Sequence, residues 1–268
     1  MKSAQKLGDI TLWEPPESKS AFATNYKGVN PKGMLFSIKH MTRLEGSYQQ
    51  PLSDILKDKL IKHENTHVVK LVDIVEQDKN LYLITEWTTS TLSKKLQAYG
   101  DVPMQELDAL TVFLQILIGY KFFIENGVVF KTLGLNNVLE SSPEHFCLSL
   151  PSGMFRDVCA FNNVETQADD LCYFAPEVLE ENSQKISERS DIWSLGCILY
   201  RMLFGRPPFV YKVPDRFLSF SDRSRNEKYR RIGLRHYILS VGLQFPSPMN
   251  LDPIVVDLLK KMLAIDPS

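Results

Sequence analysis

Cys147, Cys159, Cys172 and Cys197 are residues whose type alone could hold a metal or close a disulfide. They stand in unrelated contexts with no C-x-x-C pair, and Cys197 lies inside an apolar run. The pattern predicts reduced thiols, no metal centre and a cytoplasmic setting. A second group, Arg223, Arg225, Arg230 and Arg231 around Ser221 and Ser224, has the chemistry of a phosphorylation or docking segment. Asp222 and Glu227 dilute that charge, so the polar stretch from Ser219 to Arg231 reads as a surface insertion and candidate interaction site. Over the whole chain 31 Lys and Arg nearly cancel 32 Asp and Glu, which argues against nucleic acid or a membrane surface as partner.

These residues must be positioned by elements whose type changes along the 268 residues. Short β-like runs at Met34 to Ile38, Val68 to Glu76 and Leu81 to Trp87 fill the first third, with a helical stretch between Pro51 and Ile61. After Thr91 long helices take over. Met104 to Glu125 repeats at helical spacing through Leu107, Leu110, Leu114, Leu117 and Ile118, and Asp191 to Phe204 is apolar nearly all round, the mark of a buried helix. The arrangement is α+β and two-lobed: a small β-rich lobe over 1–87, a larger helical lobe over 88–268, and a cleft between them as the natural ligand site.

Three ordered blocks then point to a family. Tyr173-Phe174-Ala175-Pro176-Glu177 resembles the A-P-E end of an activation segment. Asp191-Ile192-Trp193-Ser194-Leu195-Gly196 resembles the central helix with its buried Asp, and Gly205-Arg206-Pro207-Pro208-Phe209 the loop after it. The chain is thereby similar to the eukaryotic protein kinases, on the serine/threonine-like side, and the resemblance runs over nearly its whole length. It implies a kinase-like fold with Thr85 as gatekeeper and backbone around Glu86 to Thr88 facing an adenine. It also implies a last helix and an Arg partner for Glu177 beyond Ser268, so the chain reads as stopping before that helix.

Position by position, the resemblance predicts a depleted site. The glycine-loop positions are Ser18, Ser20 and Ala23, so the segment reads as an ordinary strand-turn-strand. Phe36-Ser37-Ile38-Lys39 matches V-A-I-K and puts Lys39 at the phosphates, or else leaves it a strand lysine with its amine in water. Its family partner counts to Asp54, which points away from the apolar face of its helix. Val129 to Leu139 fits the catalytic loop without a gap, with Thr132 at the catalytic Asp and Gly134 at the Lys that steadies the γ-phosphate. A hydroxyl cannot serve as the base. Asn137 survives, but Pro151 stands at the metal-binding Asp and has no side-chain ligand, so no metal site is expected. Asp157, Asp169 and Asp170 lie too far along the segment to replace it.

These losses lead to the expectation of a pseudokinase: not an enzyme, needing no cofactor, and acting as a scaffold or allosteric regulator of protein partners, such as an active kinase or another domain of the same longer chain. Lys39, Thr85, Glu86, Thr88 and Asn137 would line a nucleotide pocket able to take ATP without Mg²⁺. The alternative is an atypical serine/threonine protein kinase, or an ATP-binding domain without turnover.

Overall fold

The structure, a computed structural model, describes residues 6–19, 23–42, 54–77, 80–151, 171–180, 187–214, 223–247 and 250–265. Its first part is a sheet of β1 (Lys6–Leu7), β2 (Ile10–Leu12), β3 (Ser18–Lys19), β4 (Thr24–Val29), β5 (Leu35–Thr42), β6 (Leu71–Gln77) and β7 (Asn80–Glu86), with α1 (Asp54–Lys62) between β5 and β6. The strands run in the order β1-β2-β4-β5-β7-β6, with β3 paired to β4. Side chains alternate across a strand, so the register sorts them into two faces. Leu7, Ile10, Leu12, Phe36, Ile38, Tyr82 and Ile84 form a separate small core on one face. On the other, Asn25 pairs with Lys39, Lys27 with Ser37, and Ser37 with Thr85. Met41, Leu81 and Leu83 on this second face join the main core of the helical part, so it is the face turned toward the cleft.

The helical part contains α2 (Leu92–Ala98), α3 (Glu106–Glu125), α4 (Pro176–Leu179), α5 (Glu188–Phe204), α6 (Arg223–Val241) and α7 (Pro253–Met262). A small sheet of β8 (Ser90–Thr91), β9 (Val138–Ser142) and β10 (His145–Leu148) runs in the order β10-β9-β8 beneath the cleft. The fold is α+β, a β-sheet region followed by a helical one. A backbone strut joins the two: Leu148 N–H donates to the His67 carbonyl and Val69 N–H to the Leu148 carbonyl, both at 2.9 Å. Gly119 of α3 makes this approach feasible, because a Cβ there would lie 2.1 Å from the His67 carbonyl oxygen.

Helix α5 is as buried as its composition predicts: Asp191, Trp193, Leu195, Cys197, Ile198, Leu199 and Tyr200 are all inside. Gly196 lets it meet Met262 and Leu263 closely. Helix α3 forms as its leucine repeat predicts, but most of that repeat is not the buried stripe. Leu107, Leu114 and Ile118 are 75%, 59% and 41% exposed, whereas Ala109, Val112, Phe113, Ile116, Tyr120 and Phe123 are buried. Both stripes have helical spacing, and burying the aromatic set removes more apolar area from water. Enough apolar surface remains that α3 alone, among the described residues, is long and apolar enough to cross a membrane; a core helix passes the same test.

The stretch expected as a surface insertion is also corrected. From Arg223 it is the start of the 19-residue helix α6, with Glu227, Arg231, Leu234 and Ile238 on its buried side. Arg231 donates to the Val178 carbonyl at 2.9 Å. Charges spaced along a helix do not all share one side, and this one turns an Arg inward where an α4 carbonyl accepts it. Ser219, Ser221 and Asp222 lie outside the described residues.

Candidate functional site

Lys39 sits at the inner end of the cleft face, and its ammonium donates to the Leu150 carbonyl at 2.8 Å. That corrects the picture of a strand lysine with its amine in water. Among the described residues no carboxylate pairs with it; the Asp54 side chain lies outside them. Burial without a counter-charge pushes the Lys39 pKa down to about 8. Ser149 and Leu150 then link Lys39 to the catalytic-loop position. Ser149 N–H donates to the Asn137 carbonyl at 2.8 Å, and the Asn137 amide donates to Ser149 Oγ at 3.3 Å. Asn137 Oδ1 in turn accepts from Gly134 N–H at 2.9 Å. The structure thus brings Lys39, Leu150, Ser149 and Asn137 into one connected line across the cleft floor.

This loop is held from below. Phe130 N–H and Lys131 N–H donate to the two Asp191 oxygens at 2.7 and 2.8 Å, and Tyr120 adds a longer contact of 3.4 Å. Phe130 packs edge-on to Phe123, with ring centroids 4.9 Å apart. Burial raises the Asp191 pKa to about 7 against the pull of both N–H bonds. Replacing Asp191 by Ala strands the buried Phe130 N–H and the half-buried Lys131 N–H, and, with part of that loss offset by relief of the buried carboxylate, stability should fall by about 1–3 kcal/mol. A urea titration checks this; a midpoint unchanged from the parent protein would show the carboxylate to be idle.

Thr132 is half-buried, one residue beyond this anchor, and Pro151 is buried directly after Leu150. The donor set does not fit a hard dication. Both ends of the Asn137 amide serve the loop, Pro151 offers no side-chain oxygen, and among the described residues no three His, Cys, Asp or Glu converge. Asp157, Asp169 and Asp170, and Cys159, lie outside the described residues. Ser18 pairs with Asn25 in a strand, Ala23 is buried, and Ser20 is outside the described residues.

At the other end of the cleft face, Thr85 is buried and its hydroxyl donates to the Ser37 carbonyl at 3.3 Å. Glu86 is exposed with its N–H on the Lys70 carbonyl at 3.1 Å, and Thr88 is half-buried between β7 and β8. Sequence reasoning missed what stands beside them. The Lys27 ammonium lies 4.5 Å from the Trp13 ring centroid and 4.6 Å from that of Trp87, a double cation–π contact at the lip of the cleft. The pairing of β4 with β2 and β5, and of β5 with β7, brings these residues together, and nothing in any single strand announces it. Glu177 accepts from Ser190 Oγ at 2.6 Å, so it is not merely solvated.

Residues 19–268 match the protein kinase domain family. The chain is 26% identical over 242 residues, 89% of its length, to fatty acyl-CoA synthetase and RNA processing-associated kinase 1 of Saccharomyces cerevisiae. It is 27% identical over 274 residues, 99% of its length, to serine/threonine-protein kinase ATG1b of Arabidopsis thaliana. It spans 26% and 35% of those proteins. Among solved structures, Rad53 1-466 in complex with AMP-PNP superposes with a TM-score of 0.69 at 21% identity, over 97% of this chain and 61% of the other.

These findings overturn the expectation of a non-enzyme. Relatives matching most of the chain are named as serine/threonine kinases, and substitution of two carboxylates does not place it outside them. The physical reason is that phosphoryl transfer rests mainly on positioning and electrostatics, so a missing base lowers the rate without removing the reaction. By matched length, fold and relatives, this chain belongs to the protein kinase family, and its homologues are serine/threonine kinases.

Proposed function

We propose that this domain is an atypical serine/threonine protein kinase that binds ATP across the cleft face of the sheet and transfers its terminal phosphoryl group to a serine or threonine hydroxyl. The observation carrying this reading is Lys39: a buried ammonium on the cleft face, held by one carbonyl and no carboxylate among the described residues. A desolvated cation with spare donors is a phosphate ligand in waiting. The base would lie toward Thr85 and the backbone from Glu86 to Thr88, and the phosphates toward Lys39 and the Ser149–Leu150 line. In transfer the bond from the γ-phosphorus to its bridging oxygen breaks as the substrate oxygen bonds to phosphorus. With Thr132 in place of a carboxylate, the hydroxyl proton passes to a phosphoryl oxygen or to water, and turnover is slow.

The test is incorporation of labelled phosphate from ATP into a generic serine/threonine substrate, with and without Mg²⁺. Incorporation on Ser or Thr is expected; none at high enzyme under either condition would refute the proposal.

A pH dependence follows from Lys39. Its pKa of about 8 means the amine is mostly charged at pH 7 and mostly neutral at pH 9. Phosphate binds the charged form, so ATP affinity should fall roughly tenfold between these pH values, with proton uptake on binding. Calorimetry in buffers of different ionisation enthalpy reads both. An affinity flat from pH 7 to 9 would place Lys39 away from the phosphates.

A further inference from the structure

One row of side chains crosses the cleft face of the sheet at the end where the base is placed. The β2–β4 register, Thr11 with Val29 and Leu12 with Gly28, brings Trp13 beside Lys27, and Trp13 N–H donates to the Lys27 carbonyl at 2.8 Å. Lys27 pairs with Ser37, and Ser37 with Thr85. Residues opposite one another point to the same side of a sheet, so all four share this face. Trp87, two residues past Thr85, returns to it. Its ring lies 4.6 Å from the Lys27 ammonium and the Trp13 ring 4.5 Å, and among the described residues no carboxylate pairs with that charge. Trp13 is 47% exposed while Lys27 and Trp87 are half-buried, so the clamp stands at the mouth of the cleft and not in a core. With the ammonium fixed on two indoles, the methylene stem of Lys27 stands on the cleft face beside Ser37. It adds the apolar area that Ser37 and Thr85, small and polar, do not offer to a base.

We propose that the clamp of Trp13, Lys27 and Trp87 determines base selectivity in this cleft: the Lys27 stem and the Trp87 indole form a wall on which a purine packs and from which a pyrimidine gains less. The inference rests on the nucleotide reading above and adds to it the residues that choose the base. Stacking grows with the ring area it covers, so a fused two-ring base is favoured over a single ring. The wall is preformed, because two ring faces hold a side chain that would otherwise sample many rotamers, and a base does not have to order it on binding. A clamp that only tied the linker after β7 to the sheet would stabilise the fold and leave the affinity for the base untouched.

The test is binding of ATP, CTP and inorganic tripolyphosphate to the whole chain, measured by calorimetry beside melting temperatures. Lys27→Ala should weaken ATP about tenfold, CTP less and tripolyphosphate not at all, so that the preference for ATP over CTP shrinks. Trp87→Leu should act in the same direction. Lys27→Arg, which keeps a long stem and both ring contacts, should retain the parent preference. In Trp13→Phe, Trp87 is the remaining indole at the cleft because Trp193 is buried. ATP should quench its fluorescence and tripolyphosphate should not. If the parent binds ATP and Lys27→Ala binds it equally well, even at a lowered melting temperature, the clamp is structural; that result overturns the inference and leaves the nucleotide reading standing. Equal loss of ATP and tripolyphosphate overturns it too, because the effect then lies at the phosphates. A parent protein that binds no ATP overturns both readings.

Discussion

Lys39→Met will abolish ATP binding and phosphoryl transfer without unfolding the protein, and at neutral pH the variant will be the more stable of the two. Burial lowers the Lys39 pKa to about 8 from 10.5, so the folded state holds a proton less tightly than the unfolded chain. For a depressed pKa, the group's contribution is fully present above the unfolded value and is lost as pH falls through the folded one. At pH 7 the wild-type protein therefore carries a cost on the order of 2–3 kcal/mol, which the thioether removes. The variant forfeits the bond to the Leu150 carbonyl, worth about 1 kcal/mol. A net gain of roughly 1–2 kcal/mol remains at pH 7 and fades above pH 10, read from urea titrations at several pH values. With ATP at 100 times its dissociation constant the parent protein should gain about 2.7 kcal/mol and the variant nothing. A variant still stabilised by ATP would sink the assignment of Lys39, and one that melts earlier at pH 7 would show that its amine is structural.

Why Lys39 was legible and its surroundings were not is a matter of range. The residue types of Phe36 to Lys39, of the loop from Val129 to Leu139 and of the buried helix around Asp191 are local, and each is visible within a dozen residues. The Asp191 bonds to the Phe130 and Lys131 N–H groups follow from that reading directly. The Leu150 carbonyl against Lys39, and the Lys27 ammonium between Trp13 and Trp87, arise from pairing between distant segments, where a register slip of one residue would turn every side chain over. Helix α3 shows another limit. When a helix is apolar on most sides, periodicity says that it is a helix and not which stripe faces inward. Charge misled in the same way at α6, where composition alone suggested a solvated insertion and Arg231 turned out to bond the Val178 carbonyl.

The absent base is the feature whose repair should have the largest effect. Thr132→Asp is expected to raise the rate of transfer by about 10²–10⁴, the range a positioned general base supplies. The position is favourable because Phe130 and Lys131 are tied to Asp191 and Leu133 is buried, so a side chain at 132 is presented from an anchored loop. Thr132→Asn, similar in size and uncharged, is the control and should bring no gain, because an amide accepts no proton near neutral pH. The added carboxylate would also stand near the phosphates, so ATP binding should weaken somewhat while kcat rises; a uniform improvement in KM would not be base catalysis. The gain should vanish as pH falls toward the carboxylate range near pH 4, where an Asp is protonated. A rise of less than threefold, with the protein folded and ATP bound, would mean that residue 132 does not face the transferring hydroxyl and that the slow step lies in how the phosphates are held.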